Sequence, residues 1–215
     1  RRQRAIRVRI GTRGNYKAGI TQLPNGKLVL ATCRNNNDPE PTKKRFLIHV
    51  FESADLGLTW KEINKTPLFG KEPSLTAMPN GTLVLSAQRG YFGPGSEVEK
   101  SINMARSSDG GRTWERYYLP GADYPRNMIV RQDGSLLFAR ALKSDWSGRG
   151  DGSPNLQLCR SQDGKMWRFS EGSVDWNYAA FGEVSAIQLK DGRLLAALRR
   201  QVPNTKGEGF EDTVI

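Results

Sequence analysis

Ser53-Ala54-Asp55-Leu56-Gly57-Leu58-Thr59-Trp60 returns as Ser107-Ser108-Asp109-Gly110-Gly111-Arg112-Thr113-Trp114 and, one residue shorter, as Ser161-Gln162-Asp163-Gly164-Lys165-Met166-Trp167. The aspartates Asp55, Asp109 and Asp163 fall 54 and 54 residues apart. An Asp side chain accepts hydrogen bonds from amides a few residues ahead, and a Gly beyond it permits positive φ, so each copy closes a tight turn between two outer strands. The Trp that ends it is large enough to seal one sheet against the next. Self-similarity at this fixed period matches one four-stranded blade of a β-propeller.

A second repeat runs out of phase with the first. Leu23-Pro24-Asn25-Gly26-Lys27-Leu28, Met78-Pro79-Asn80-Gly81-Thr82-Leu83, Arg131-Gln132-Asp133-Gly134-Ser135-Leu136 and Leu189-Lys190-Asp191-Gly192-Arg193-Leu194 each join two apolar runs through Asn-Gly or Asp-Gly. That dipeptide between apolar runs is a hairpin signal, and it predicts a type I′ turn with positive φ at both central residues. The expected architecture is all-β: blades that begin near residues 17, 72, 125 and 183, each with an inner hairpin and, in the first three, an outer one at the box. Ile6, Val8 and Ile10 alternate with Arg7 and Arg9, which predicts a further half-buried strand over Ala5–Ile10.

The chain of 215 residues is long enough to bury a sizeable core, and it reads as one propeller domain, residues 1–215, with the fourth repeat cut before a box. No apolar run reaches the roughly 20 residues that span a bilayer. The net charge of +11 favours an anionic partner. The aromatics sit mostly at box positions and no basic helical stripe or RNP-like motif appears, so nucleic acid is not the expected partner. Cys33 and Cys159 lie in different repeats without metal-ligand spacing and are expected to be buried free thiols; no metal or cofactor is expected. His49 is the only histidine, which argues against a Ser-His-Asp or His-ligated zinc site.

Superposing the repeats on their hairpin glycines brings the candidate chemistry together. Nine residues before the glycine stand Lys17, Glu72, Pro125 (with Arg126 next) and Glu183; eight residues after it stand Arg34, Arg89, Leu142 and Arg200, with Arg199 beside the last. Inner strands line a propeller's central channel, so these charged residues are expected to converge on one pocket.

The boxes are those of the Asp-box, or bacterial neuraminidase, repeat, and the chain resembles the sialidase superfamily over nearly its whole length. In that family the boxes lie at blade rims, away from the pocket. The segment from Gly182-Glu183-Val184 to Leu198-Arg199 looks like the sialidase segment that opens on a Glu and closes on an Arg. The resemblance implies a six-bladed propeller, with Glu183 as the base that activates a tyrosine nucleophile and Arg199, or Arg200 one register on, as a ligand for the substrate carboxylate. It implies Lys17 where the family's first triad Arg stands, Arg34 as a pocket Arg, and Asp38 as the acid or else an ordinary loop residue. The nucleophile and third triad Arg would lie beyond Ile215. The implied function is an exo-glycosidase that removes a terminal acidic sugar, sialic acid, from a glycan, in a secreted or periplasmic setting. A related enzyme on another sugar, or a non-catalytic Asp-box propeller that binds glycans or proteins, would share the boxes and hairpins.

Overall fold

The computed structural model describes residues 6–36, 46–88, 101–120, 127–141, 156–170, 181–203 and 210–214. They form four antiparallel sheets that follow one another along the chain. The first sheet runs β1 (Tyr16–Gln22), β2 (Leu28–Asn35), β3 (Phe46–Ser53) and β4 (Lys61–Glu62), with a short β5 (Leu68–Phe69) that pairs with β3. The second runs β6 (Lys71–Ala77), β7 (Leu83–Gln88), β8 (Ser101–Ser107) and β9 (Glu115–Pro120). The third holds β10 (Ile129–Val130), β11 (Leu136–Ala141), β12 (Leu156–Ser161) and β13 (Arg168–Phe169), and the fourth β14 (Phe181–Gln188), β15 (Leu194–Pro203) and β16 (Phe210–Val214). Each sheet is a meander, the arrangement the repeats predict for a blade. Among the described residues no helix is long and apolar enough to cross a membrane.

Burial follows the period of two. Leu83, Leu85 and Ala87 of β7 join a core shared with Val29, Ala31 and Val50 of the first blade. Val84, between them, turns to the other face and packs with Met128, Leu136 and Phe138 of the third. Successive side chains of a strand point to opposite faces, so a blade between two others needs apolar residues at consecutive positions. Trp114 is buried in the first of these cores, and Trp167 packs on the second with its ring centroid 4.8 Å from that of Phe138.

The boxes are closed by side-chain hydrogen bonds. Gly111 N donates to Ser107 Oγ at 2.9 Å, Thr113 N to Asp109 Oδ1 at 2.9 Å, and Thr113 Oγ1 to Asp109 Oδ2 at 2.6 Å. The first box repeats this from Ser53, Asp55 and Thr59. In the third, shorter box, Asp163 accepts instead from the amides of Lys165 and Met166. The residue after each Asp is left-handed: Gly110 and Gly164 at φ 72°, and Leu56 at φ 56°. Leu56 is also 80% exposed, so it bears the cost of that backbone without burial in return.

Two expectations are corrected. Residues 6–10 form no strand, and Ile6 is 75% exposed; alternation alone does not make a strand where no described neighbour offers a ladder. The inner hairpins are not type I′, because among Asn25, Asn80, Asp133 and Asp191 none has positive φ, while Gly26, Gly81, Gly134 and Gly192 all do. Gly26 N donates to Leu23 O at 2.9 Å and Leu23 N to Lys27 O at 2.8 Å, which makes a three-residue loop of type I turn plus left-handed Gly. Pro24 and Pro79 at the second turn position suit that geometry, and each Asn or Asp carbonyl or carboxylate oxygen accepts from the amide two residues on, as Asn25 Oδ1 does from Lys27 N at 3.1 Å.

Two measurements check this account. Leu56→Gly should raise stability in urea by about 0.5–1 kcal/mol, the released strain being partly offset by the greater unfolded-state freedom of Gly; a loss would mean that Leu56 is held by a contact. Asp55 is held down at about 2 by the Thr59 hydroxyl and amide and by Ser53. At Asp109 desolvation acts upward, but the Thr113, Ser107 and Arg112 hydrogen bonds outweigh it and also bring it to about 2. Carboxyls depressed in the folded state add stability above their unfolded value, near 3.8, and lose it as pH falls through the folded one. Urea midpoints should therefore be level above about pH 4 on this account and fall between about pH 4 and 2, modestly because both groups are exposed to solvent.

Candidate functional site

The inner strands of the blades are tied to one another by short polar side chains. Ala77 N donates to Thr21 Oγ1 at 3.2 Å, Thr76 Oγ1 to Met128 O at 2.9 Å, and Asn127 exchanges two bonds with Ala186, at 2.8 and 3.1 Å. Gly19 makes the first approach possible: a Cβ there would lie 2.7 Å from Pro73 O. Between these strands runs a groove of about 710 Å³, lined by β1 and β6 and by residues at the start of the third blade.

A bulge interrupts the same place on three inner strands. The register shifts between Tyr16 and Gly19, between Lys71 and Ser74, and between Phe181 and Val184. A bulge inserts an unpaired residue and re-aims its side chain. Lys17 and Glu72 stand in the first two, at φ 48° and 53°, which costs about 1–2 kcal/mol each for a residue with a Cβ. Their side chains meet: the Lys17 ammonium donates to Glu72 Oε1, an ion pair between residues 55 apart in sequence. Glu72 is the more buried partner, at 14% side-chain exposure against 52% for Lys17. Cys33 braces the second bulge, its Sγ accepting from Glu72 N at 3.3 Å. Burial is the main reason its thiol is pushed up. Tyr16, directly across from Cys33, is pushed up to about 12, first by burial and then by Cys33.

The remaining candidates fall elsewhere or outside the description. Arg34 is the penultimate residue of β2, and its guanidinium donates to the Thr12 hydroxyl, outside the groove lining. Glu183 lies in the bulge of β14, Arg200 pairs with Phe181 across β14 and β15, and Arg199 pairs with Val214. Asp38, Arg89 and Arg126 lie outside the described residues. The three boxes sit between the third and fourth strands of their blades, away from the groove. His49 is in β3, with Nδ1 2.7 Å from Glu62 Oε1. Among the described residues no cluster of His, Cys, Asp and Glu could hold a metal ion.

Sequence reasoning missed the polar residues that join the inner strands. Their signal lay in the glycine superposition itself: Thr21 and Thr76 each stand five residues before their hairpin glycine, and Asn127 stands seven before its own.

No protein-family model matches the sequence, and no curated protein matches it. Solved structures do. The α-L-arabinanase of Penicillium chrysogenum, complexed with arabinobiose, superposes with a TM-score of 0.62 at 20% identity over 93% of this chain and 61% of its own. The Hadza microbial sialidase Hz136 gives 0.62 at 18% identity over 94% of this chain and 44% of its own. The Trypanosoma rangeli sialidase in complex with the inhibitor DANA gives 0.55 at 17%, over 86% and 29%. The fold is that of the sialidase-like β-propellers. This propeller chain spans about three fifths of the arabinanase and less than half of either sialidase.

Cys33 and Cys159 form no disulfide, and both are fully buried in the propeller. Iodoacetamide at pH 8 should leave both unmodified in the native protein and label both in denaturant, because a buried, protonated thiol is a poor nucleophile. Native labelling at Cys33 would mean that the bulge it braces opens.

Proposed function

We propose that this chain supplies the first blades of a propeller glycoside hydrolase that removes a terminal sugar from a glycan, with further blades completing a single ring of six. One observation carries the reading: the inner-strand bulge recurs in the same place on three strands, at Lys17, Glu72 and Glu183. Regular sheet interiors have no use for such a repeated interruption, and bulges are over-represented next to active sites. The structural neighbours support it, being glycoside hydrolases by their own descriptions.

In this reading Glu183 is the general base that draws the proton from a tyrosine nucleophile supplied by a later blade. A carboxylate beside a phenol suits that task, and tyrosine is the sialidase nucleophile. Arg199, or Arg200 one register on, with Arg89 and Arg126 as further cations, would hold the sugar, and Asp38 would serve as the acid. Two sugar classes follow from different residues. Sialic acid is the class that Arg199 would recognise, since a guanidinium binds a carboxylate through two parallel hydrogen bonds. A neutral sugar is the class favoured by the Lys17–Glu72 ion pair, which occupies the position of the family's first cation.

Glu183→Gln in the complete protein tests the hydrolase reading. With fluorogenic sialosides and α-L-arabinofuranosides as substrates, kcat should fall about 10²- to 10⁴-fold at an unchanged melting temperature. Unchanged turnover removes Glu183 from the mechanism.

A further inference from the structure

We infer that Glu72 is a specificity-determining residue: by neutralising Lys17 it sets this end of the groove to take an uncharged sugar and to turn away one that bears a carboxylate. The inference rests on the glycan-binding part of the reading above and names the class of sugar bound.

The groove's electrostatics run against those of the whole chain. The protein carries +11, which would draw an acidic sugar toward it. Within the groove, however, Lys17 and Glu72 are the only charged residues among the described lining, and they cancel. The rest of that lining is neutral, with the hydroxyls of Thr21, Ser74 and Thr76 and the amide of Asn127 beside apolar residues.

The pair is also built rather than incidental. Both partners sit in left-handed bulges that the chain must strain to form, and the Glu72 backbone is fixed from behind by the hydrogen bond that its N–H donates to Cys33 Sγ. Glu72 is the buried member, so its carboxylate is held in place while the ammonium of Lys17 reaches it from the more exposed side. A carboxylate-bearing ligand that approached Lys17 would meet the charge of Glu72 a few ångströms further in, and like charges at that range repel. A sugar hydroxyl meets no such barrier. It can donate to a Glu72 oxygen and accept from Lys17, so vicinal hydroxyls of an uncharged ring suit both groups at once.

The test is binding by calorimetry in the complete protein, with arabinobiose as the neutral probe and N-acetylneuraminic acid as the acidic one. Wild type should bind arabinobiose the more tightly. Glu72→Gln keeps the shape, removes the charge and unmasks Lys17; it should tighten N-acetylneuraminic acid about ten- to a hundred-fold, the scale of one hydrogen bond to a charged group, and the gain should shrink as salt is raised. The double variant Lys17→Met, Glu72→Gln should lose that gain. Lys17→Met alone should weaken arabinobiose and leave the acidic probe no better bound, which keeps the inference testable if Glu72→Gln fails to fold. It is overturned if wild type prefers the acidic probe, if Glu72→Gln leaves the ratio of the two affinities unchanged, or if the double variant keeps the gain. Wild type that binds neither probe also overturns it, whereas the hydrolase reading stands or falls separately on the turnover of Glu183→Gln.

Discussion

A sheet with apolar side chains on both faces is stable only between two other layers, and the rest of this molecule follows from that constraint. Leu83, Val84 and Leu85 of β7 are consecutive and all buried, which requires a neighbouring blade on either side of the second sheet. A row of blades related in this way is forced to turn around an axis, because each sheet is twisted and meets the next at an angle. Inner strands are then drawn together at the axis and outer strands spread apart. The spreading leaves the outer edges in need of a seal, and the boxes provide it.

The box works as a self-contained cap. One carboxylate and one serine hydroxyl take up the amides of a left-handed turn, so the chain reverses without help from its neighbours. Contacts from the turn then reach the adjacent blade: Arg112 Nη2 lies 3.1 Å from Glu52 Oε1, and Gly111 packs against Val50 and Ile63. Exposed ion pairs of this kind add little stability, so they set the relative position of blades more than they hold them together. The apolar cores between sheets do the holding.

At the axis the physics is reversed. Inner strands approach so closely that Gly19 can bear no side chain, and the links between them are single hydroxyls and one amide. Polar groups crowded there must find partners in one another. The bulges break the ladder where the groove begins and turn two charged residues into it from different blades. A propeller thus places chemistry at its centre by interrupting regular structure there, while its rims remain repetitive.

Most of the fold was legible in the residues. The box spacing, the Asn-Gly and Asp-Gly hairpins and the doubly apolar strands depend on local hydrogen bonding and on side-chain alternation, both properties of short segments, and they determine blades, turns and strand order. The turn type was misread because Asn-Gly suits either a type I′ turn or a type I turn with a following bulge, and the choice depends on the three-residue loop that the strand register imposes. The strand at residues 6–10 was misread because a strand exists only through its partners. At the site, sequence alone put Lys17, Glu72 and Glu183 at equivalent positions in their repeats. Only the tertiary structure decided that Lys17 and Glu72 meet and cancel while Arg34 turns to Thr12. An ion pair between blades joins residues 55 apart whose approach is set by the angle between two sheets and by a bulge in each, and no local pattern in the chain encodes either.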